Sequence, residues 1–197
     1  MKRNIINNKI YNILIPLILV FLFLPATVKG AKKKFFADLS VNLFSHSDTE
    51  FKKVYKSSIT VPEIAIGYFF SGNFYIFGGF EFFSVDGSTP ELNFDLKMDQ
   101  KTFSLGGGYY KEFSEKLGLS GELGLAFISY TEESKDLELK SKSSCTGFRL
   151  RGKLQYKISD LIGLYIKLGY TIAKDTIDDI SKKFGGLSTG LGIKFSF

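Results

Sequence analysis

The sequence has very little cysteine or histidine, with one of each, Cys145 and His46. A single cysteine excludes a disulfide within the chain and the paired-cysteine spacings of zinc sites. The chain also lacks a phosphate-binding glycine loop and the HExxH pattern of metalloproteases. We therefore expect neither a cofactor nor a metal site.

A strong basic patch is also missing from the body of the chain. The formal net charge is +6, but Lys2, Arg3, Lys9 and Lys29 all lie in the first thirty residues, which hold no acid. The remainder carries 22 basic and 20 acidic residues. This balance does not favour a nucleic-acid partner.

No stretch after residue 31 is apolar for 18 residues, which excludes a transmembrane helix there. The longest apolar run, residues 13–25, follows a basic lead and precedes the small residues of ATVKGA. As a helix its thirteen residues would span roughly 20 Å, against a hydrocarbon core of about 30 Å. We therefore favour a secretory signal peptide over 1–30, cleaved after Gly30, and a single domain over 31–197.

Aromatic residues and glycine are abundant, and proline is rare: 21 Phe, 10 Tyr, 20 Gly and 4 Pro. This composition suits strands better than helices. Apolar and polar residues alternate with a period of two in eight segments, so each predicted strand has one apolar face. The segments are 35–44, 63–70, 74–84, 102–113, 117–129, 147–158, 162–173 and 187–197.

The connections between these strands alternate in length. Three are tight turns, at 71–73, 114–116 and 159–161, and four are longer and charged. Short turns at one end and long loops at the other are typical of outer-membrane barrels, with the long loops outside the cell. The long connections are 45–62, 85–101, 130–146 and 174–184.

A soluble eight-stranded barrel or sandwich would also alternate. A soluble barrel would turn its apolar face inward and leave the charged face to water. Here the charged face is rich in glycine, which suits a crowded lumen. We therefore predict an all-β fold, an antiparallel up-and-down transmembrane barrel of eight strands with short periplasmic turns and longer extracellular loops.

With the apolar face toward lipid, charged residues of both signs point into the lumen. An eight-stranded barrel has an interior that side chains can fill, and isolated buried charges are costly. The expected lumen ion network comprises Asp38, Glu63, Glu81, Glu122, Arg149, Arg151, Lys153, Lys167 and Lys194.

The height of each residue along its strand suggests partners within this network. Asp38 and Lys194 lie at equal heights on strands 1 and 8, and Glu122 and Lys153 do so on strands 5 and 6. Glu81 is expected to reach one of the two arginines of strand 6. A small conducting pore remains an alternative interpretation of the polar lumen.

The last residues, GLGIKFSF, alternate and end on an aromatic ring. Together with the layout of strands, turns and loops, they resemble the small outer-membrane proteins of the OmpX and OmpA-barrel type. The resemblance implies an outer-membrane location among lipids and lipopolysaccharide. It also implies delivery by the barrel assembly machinery, with Phe195 and Phe197 in the assembly signal, and roles that range from adhesion to envelope integrity.

Loops on a rigid scaffold carry function in many folds. The second long loop alternates like a strand and should extend strand 4 beyond the membrane, beside Leu137 and Leu139. An unpaired edge there could capture a surface protein partner by main-chain hydrogen bonds. The candidate surface-binding edge is Leu92, Phe94, Leu96 and Met98.

An enzyme is the second alternative interpretation. His46 lies at the top of strand 1, and Asp86 and Ser88 lie in a loop at the same end. Histidine with serine and an acid at the outer rim resembles, by residue type only, barrels that modify lipid A. No motif of those enzymes is present, so we expect a structural or surface-binding role and no catalytic residues.

Overall fold

The computed structural model describes residues 34–55, 57–90, 92–134, 136–177 and 180–197. The predicted signal segment, 1–30, lies outside these residues. Within them, no helix is long and apolar enough to cross a membrane. The elements are β1 (Phe35–His46), α1 (Thr49–Val54), β2 (Ile59–Ser71), β3 (Phe74–Ser88), β4 (Asp95–Glu112), β5 (Leu117–Ser134), β6 (Leu139–Lys157), β7 (Ile162–Ile177), β8 (Ile180–Lys183) and β9 (Gly186–Ser196).

Every strand pairs antiparallel with its neighbours, and the sheet closes because β1 pairs with both β2 and β9 while β7 pairs with both β6 and β9. Strands β8 and β9 lie end to end along β7. Lys174 is opposite Lys183, and the Phe184 N–H donates to the Ala173 carbonyl oxygen at 2.9 Å, so one register runs through both. The predicted eight-stranded up-and-down barrel is confirmed.

The three short turns lie at one end of the barrel. The tightest contains Gly72, whose φ of +52° lies in the left-handed region that glycine adopts without steric cost. At the other end the strands extend beyond the barrel: β4 begins at Asp95, in line with the predicted extension of strand 4, and β6 begins at Leu139 rather than at the predicted 147. These strands continue above the membrane because neighbouring hairpins keep pairing in water.

The apolar residues of each strand face outward and form a belt around the barrel. Leu191, Phe148 and Leu123 keep 63–67% of their surface exposed, whereas the inward residues Glu122 and Arg151 keep 3% or less. This is the reverse of a soluble barrel, and it is the arrangement that a lipid surround requires. The predicted assignment of the two faces is therefore confirmed.

The interior has three layers. A lower aromatic layer near the short turns contains Phe36, Tyr75 and Phe77, packed against Phe69 and Tyr110. An ion layer of charged residues lies above it. An upper apolar layer fills the extracellular half: Phe44, Ile59, Val61, Phe83, Val85, Met98, Ala126, Ile128, Tyr130, Ala173 and Phe184.

Glycine allows large inward side chains to lie flat against the neighbouring strand, because Tyr75 is directly opposite Gly108 and Tyr165 directly opposite Gly192. A Cβ at Gly108 would be 2.3 Å from the Tyr75 ring, and one at Gly192 would be 2.3 Å from the Tyr165 ring. A Cβ at that separation would displace the ring, so glycine favours this placement of a ring over the neighbouring strand. This explains why the polar face of the sequence is rich in glycine.

Candidate functional sites in the lumen and at the extracellular end

The alternation of each strand turns all nine residues of the expected lumen network inward. Strand β6 supplies three of the cations, at alternate positions, and the acids come from β1, β2, β3 and β5. Eight of the nine are buried, and the Glu81 side chain is 14% exposed.

Arg151 is at the centre of the ion layer. Its Nη1 lies 2.5 Å from Glu63 Oε1, and its Nε lies 2.8 Å from Glu122 Oε2 as an ion pair without hydrogen-bond geometry. Lys153 Nζ lies 2.7 Å from both Glu122 Oε1 and Asp38 Oδ2. The contact between Glu122 and Lys153 is the one that strand heights predict.

Polar side chains complete the layer. Glu63 also pairs with Lys167 and accepts a hydrogen bond from Asn42 Nδ2 at 3.1 Å. Arg149 Nη2 lies 2.8 Å from Glu81 Oε2, so the first of the two arginines of β6 is the partner of this acid. Charges paired in this way partly recover the free energy lost on leaving water.

The predicted pair of Asp38 and Lys194 is wrong. The two residues are opposite each other on β1 and β9, yet Asp38 contacts Lys153 from the far wall. Lys194 Nζ lies over rings instead, 4.2 Å from the Phe36 centroid and 5.4 Å from the Tyr110 centroid. In so narrow a lumen a long side chain reaches across the barrel, so strand neighbours do not determine side-chain partners.

At the extracellular end, the short helix α1 covers the upper apolar layer. Asp48 caps it by accepting hydrogen bonds from the N–H groups of Glu50 at 2.9 Å and Phe51 at 3.3 Å, and it also accepts from the Lys183 N–H at 3.2 Å. Burial acts to raise the pKa of Asp48, but these backbone hydrogen bonds outweigh it and lower the pKa below its usual value. Asp48 therefore ties the first loop to the fourth.

Tyr55, just after α1, ties the same cover to the third loop. Its hydroxyl donates to Glu132 Oε1 at 2.6 Å, and Lys182 Nζ lies 3.6 Å from Glu132 Oε2. Burial raises the pKa of Tyr55, and the hydrogen bond to Glu132 adds to the shift. Three loops thus meet over the barrel mouth.

His46 is part of this cover. It is 2% exposed, and its ring stacks on Phe51 at 3.9 Å between centroids. Its Nδ1 accepts the Asp48 N–H at 3.2 Å, and its Nε2 has no hydrogen-bond partner among the described residues. Asp86 and Ser88 pair with β4 in the neighbouring hairpin, and no described contact joins either to His46. The group of residues that the enzyme interpretation needs is therefore not assembled.

The candidate surface-binding edge is wrong in part. Leu96 pairs with Gly87 on β3 and with Ser134 on β5, and Met98 is 3% exposed in the upper apolar layer. Both lie inside a four-stranded sheet, β3 to β6, that extends above the membrane. Alternation identified the strand correctly, but whether a strand is at an edge depends on its neighbours.

This sheet has an open edge on each side: residues 82–88 of β3 pair with β4 but not with β2, and the upper part of β6 is open in the same way. Residues Leu139–Thr146 pair with β5, whereas pairing with β7 begins only at Gly147. The alternation of this segment, LKSKSSCT, is weak because serine and threonine replace most apolar residues. In the sequence, the signal for this edge is the weak period-two alternation that continues from the predicted strand 6 into this segment.

Exposed leucines lie at the tips of the two hairpins beside this edge. The Asp95 N–H donates to Asp136 Oδ2 at 2.7 Å and holds the tips together. Phe94 is half-buried in the first tip. The tip patch consists of Leu92, Leu137 and Leu139, which are 67%, 49% and 63% exposed.

The final strand closes the barrel. Phe195 is opposite both Ala37 and Ile162, and the Phe197 N–H donates to the Phe35 carbonyl oxygen at 2.8 Å. This placement gives Phe195 and Phe197 a closing role, while recognition by an assembly machinery stays a prediction.

Comparison with known proteins supports this architecture. The family model "Outer membrane protein beta-barrel domain" matches residues 57–197. No curated protein sequence matches the chain.

Solved structures of small outer-membrane proteins are similar to this chain in fold. OprG from Pseudomonas aeruginosa has a TM-score of 0.62 and 13% identity over 85% of this chain and 98% of its own. Neisserial surface protein A has a TM-score of 0.60 and 12% identity over 83% of this chain and 97% of its own. Ail, the attachment invasion locus protein of Yersinia pestis, has a TM-score of 0.53 and 15% identity over 85% of this chain and 100% of its own.

Proposed function

The chain belongs to the outer membrane protein β-barrel domain family, and on this basis we propose that it binds a protein partner at the cell surface through its extracellular sheet. The barrel lies in the outer membrane. The observation that carries the proposal is the open edge of β6, Leu139–Thr146, beside the exposed tip patch.

An open edge presents main-chain N–H and C=O groups that another extended segment can pair with. Exposed apolar side chains beside it provide contact area for the same partner. Here the edge also carries Lys140 and Lys142, and Lys140 lies 3.4 Å from Glu133. Edge lysines hinder indiscriminate pairing, so an acidic extended segment fits best.

A protein segment is favoured over a sulfated glycan. Ail has been crystallised with the heparin analogue sucrose octasulfate, and its description as an attachment protein supports an attachment role here. The four long connections of this chain, however, carry 11 basic and 13 acidic residues. A polyanion needs a basic surface, which these connections do not supply.

Two variants separate the edge from the rest of the sheet. In an antiparallel pair, successive residues alternate between bonding the neighbour and facing away. Proline at Ser141 or at Lys142 therefore removes one bond to β5 in one variant and one open-edge N–H in the other. Attachment of cells displaying each variant to immobilised serum proteins is measured, and folding is checked by the heat-shift of the barrel on a gel.

We expect the variant that lacks the open-edge N–H to fold and to lose attachment. Replacing Leu92, Leu137 and Leu139 by serine should weaken attachment as well. Serine at Leu119, which faces lipid near the short turns, is the control. Unchanged attachment in both the proline and the leucine variants would refute the proposal.

The proposal includes two further partners. Outer-membrane lipids and lipopolysaccharide surround the apolar belt, and the barrel assembly machinery engages the terminal strand with Phe195 and Phe197. Depleting the assembly machinery should leave the chain unfolded in the periplasm, and Phe197→Ser should slow its assembly.

A further inference from the structure

Two lysines face each other on the outer surface of the barrel. Lys174 of β7 and Lys183 of β8 are directly opposite in the antiparallel ladder. Opposite residues in such a ladder project from the same face of the sheet. Both side chains are exposed, so both point away from the lumen.

The lysine pair lies at the upper border of the apolar belt. Ile172, two residues before Lys174 on the same face of β7, is 58% exposed, and Tyr170 below it is 46% exposed. Leu187 on β9 is opposite Tyr170 and is 45% exposed. The two ammonium groups are therefore in the first row above the lipid-facing side chains, at the extracellular end.

Like charges directly opposite each other destabilise a pair of strands. Two other extracellular lysines have carboxylate partners: Lys182 lies 3.6 Å from Glu132 and Lys140 lies 3.4 Å from Glu133. Within the described residues, neither Lys174 nor Lys183 forms such a pair.

In the described part of the chain, Asp48 contacts Lys183 only through the backbone. Asp48 accepts the backbone N–H of Lys183 at 3.2 Å, and its other oxygen accepts the N–H groups of Glu50 and Phe51. Asp48 thus holds the backbone of β8 in place and leaves two adjacent ammonium groups for an outside anion.

We propose that Lys174 and Lys183 bind the phosphate of a lipid in the outer leaflet. Cβ atoms of opposite residues lie about 4.5–5.5 Å apart, so two flexible lysine stems can bring both ammonium groups to one phosphate. The acyl chains of that lipid would lie on Tyr170, Ile172 and Leu187. Lipid A phosphates and glycerophospholipid phosphates share this chemistry.

The test measures lipid retention by the folded barrel in detergent, using native mass spectrometry. The probes are bisphosphorylated lipid A, the same lipid A after dephosphorylation, and phosphatidylglycerol. The variants are K174Q/K183Q and K183E. The control is K97Q/K140Q, because Lys97 and Lys140 lie higher on the sheet and have carboxylate partners.

We expect retention of phosphorylated lipid to fall about fivefold for each lysine removed, because one lysine beside an anionic lipid surface strengthens binding by about that factor. K183E should lose retention and also unfold at a higher temperature without lipid, because a Lys–Glu pair replaces a Lys–Lys pair. A higher unfolding temperature would show that K183E loses lipid because the site is gone and not because the barrel is unfolded. Stronger retention of lipid A than of phosphatidylglycerol would identify the source as lipid A, and equal retention would identify the phosphate alone; both support the site.

Two outcomes would overturn the proposal. One is equal retention of phosphorylated and dephosphorylated lipid A by the unmodified protein, which would leave only acyl contact. The other is wild-type retention of phosphorylated lipid by K183E, since a carboxylate in the pair should repel a phosphate.

Discussion

Charged residues in the lumen share a face of the barrel but differ in what holds them. Arg151 contacts two carboxylates, whereas Lys194 lies over aromatic rings. The cost of removing a buried charge depends on what its partners retain. The two residues should therefore respond very differently to substitution.

Arg151→Met should lower the free energy of unfolding by about 3–5 kcal/mol, because Glu63 and Glu122 would stay buried with fewer cations. Urea unfolding of the barrel in lipid vesicles measures this. Lys157→Met is the matched control: its Nζ lies 3.6 Å from Glu112 at a half-exposed site, and such a pair contributes about 0–1 kcal/mol. Equal losses in the two variants would contradict the central role of Arg151.

Lys194→Met should cost less than Lys153→Met. Losing the ring contacts forfeits about 2 kcal/mol, but burying an ammonium group is no longer required. Removing Lys153 leaves Asp38 without its cation, and Glu122 keeps one cation, Arg151, beside the Tyr75 hydroxyl. The same urea measurement compares the two, and a larger loss in Lys194→Met would show that Asp38 depends on Lys194 after all.

The sequence allowed the inward position of these residues to be predicted, but not all of their partners. Alternation decides the face for every residue of a strand. Partners depend on side-chain reach across the lumen, as Asp38 and Lys153 illustrate. Glu122 and Lys153 agree with the height rule, whereas Asp38 and Lys194, which also lie on neighbouring strands, do not.

At the scale of the element, helix α1 was predicted only as part of a long loop. It has six residues, too few for a helical period to be recognised. Asp48 at its N-cap and the stack of Phe51 on His46 hold it over the barrel mouth. Tertiary contacts rather than propensity thus stabilise this helix.

Asp48→Ala should loosen this cover without unfolding the barrel. Loss of an N-cap carboxylate costs about 0.5–2 kcal/mol, and the link to Lys183 is lost with it. Hydrogen exchange at the amides of Glu50 and Phe51 should become faster by about tenfold, while exchange in β5 stays unchanged. Unchanged exchange in α1 would show that the ring stack alone holds the helix.

The same contact predicts a pH dependence for the cover. The pKa of Asp48 is lower in the folded cover than in an open loop. Its contribution is therefore complete above the open-loop value of about 3.9 and is lost as the pH falls through the lower folded value. Protection of the Phe51 amide should decline in that acidic window, and Asp48→Asn should remove the dependence.

In the extended sheet, alternation predicts where a strand continues but not which strand is at the edge. Alternation predicted that strand 4 continues above the membrane, and β4 does begin at Asp95. It also placed the binding edge there, but β3 and β5 occupy both sides of Leu96. The open edges lie on β3 and β6 instead, and on β6 serines weaken the pattern.

At the scale of the whole molecule, layers of packed side chains fill the lumen. The lower aromatic layer, the ion layer and the upper apolar layer follow one another, and α1 covers the extracellular end. Eight strands leave room for side chains and not for a water column.

Planar-bilayer recording should therefore show no resolvable conductance steps. Arg151→Ala, which removes a large side chain from the ion layer, should raise the frequency of brief openings if that layer is the barrier. A large-pore barrel reconstituted in the same bilayers is the positive control. Stable conductance steps from the unmodified protein would support the alternative interpretation, in which the polar lumen is a small conducting pore.

The sequence by itself determined the architecture: eight amphipathic strands, which face is apolar, and short turns at one end. These features are local, because alternation and turn chemistry act within a few residues. The partners of Asp38 and Lys194, the covered His46, the open edge of β6 and the pairing of Lys174 with Lys183 were decided only by the tertiary structure. Each brings together residues that are distant along the chain, and closure of the barrel determines which of them meet.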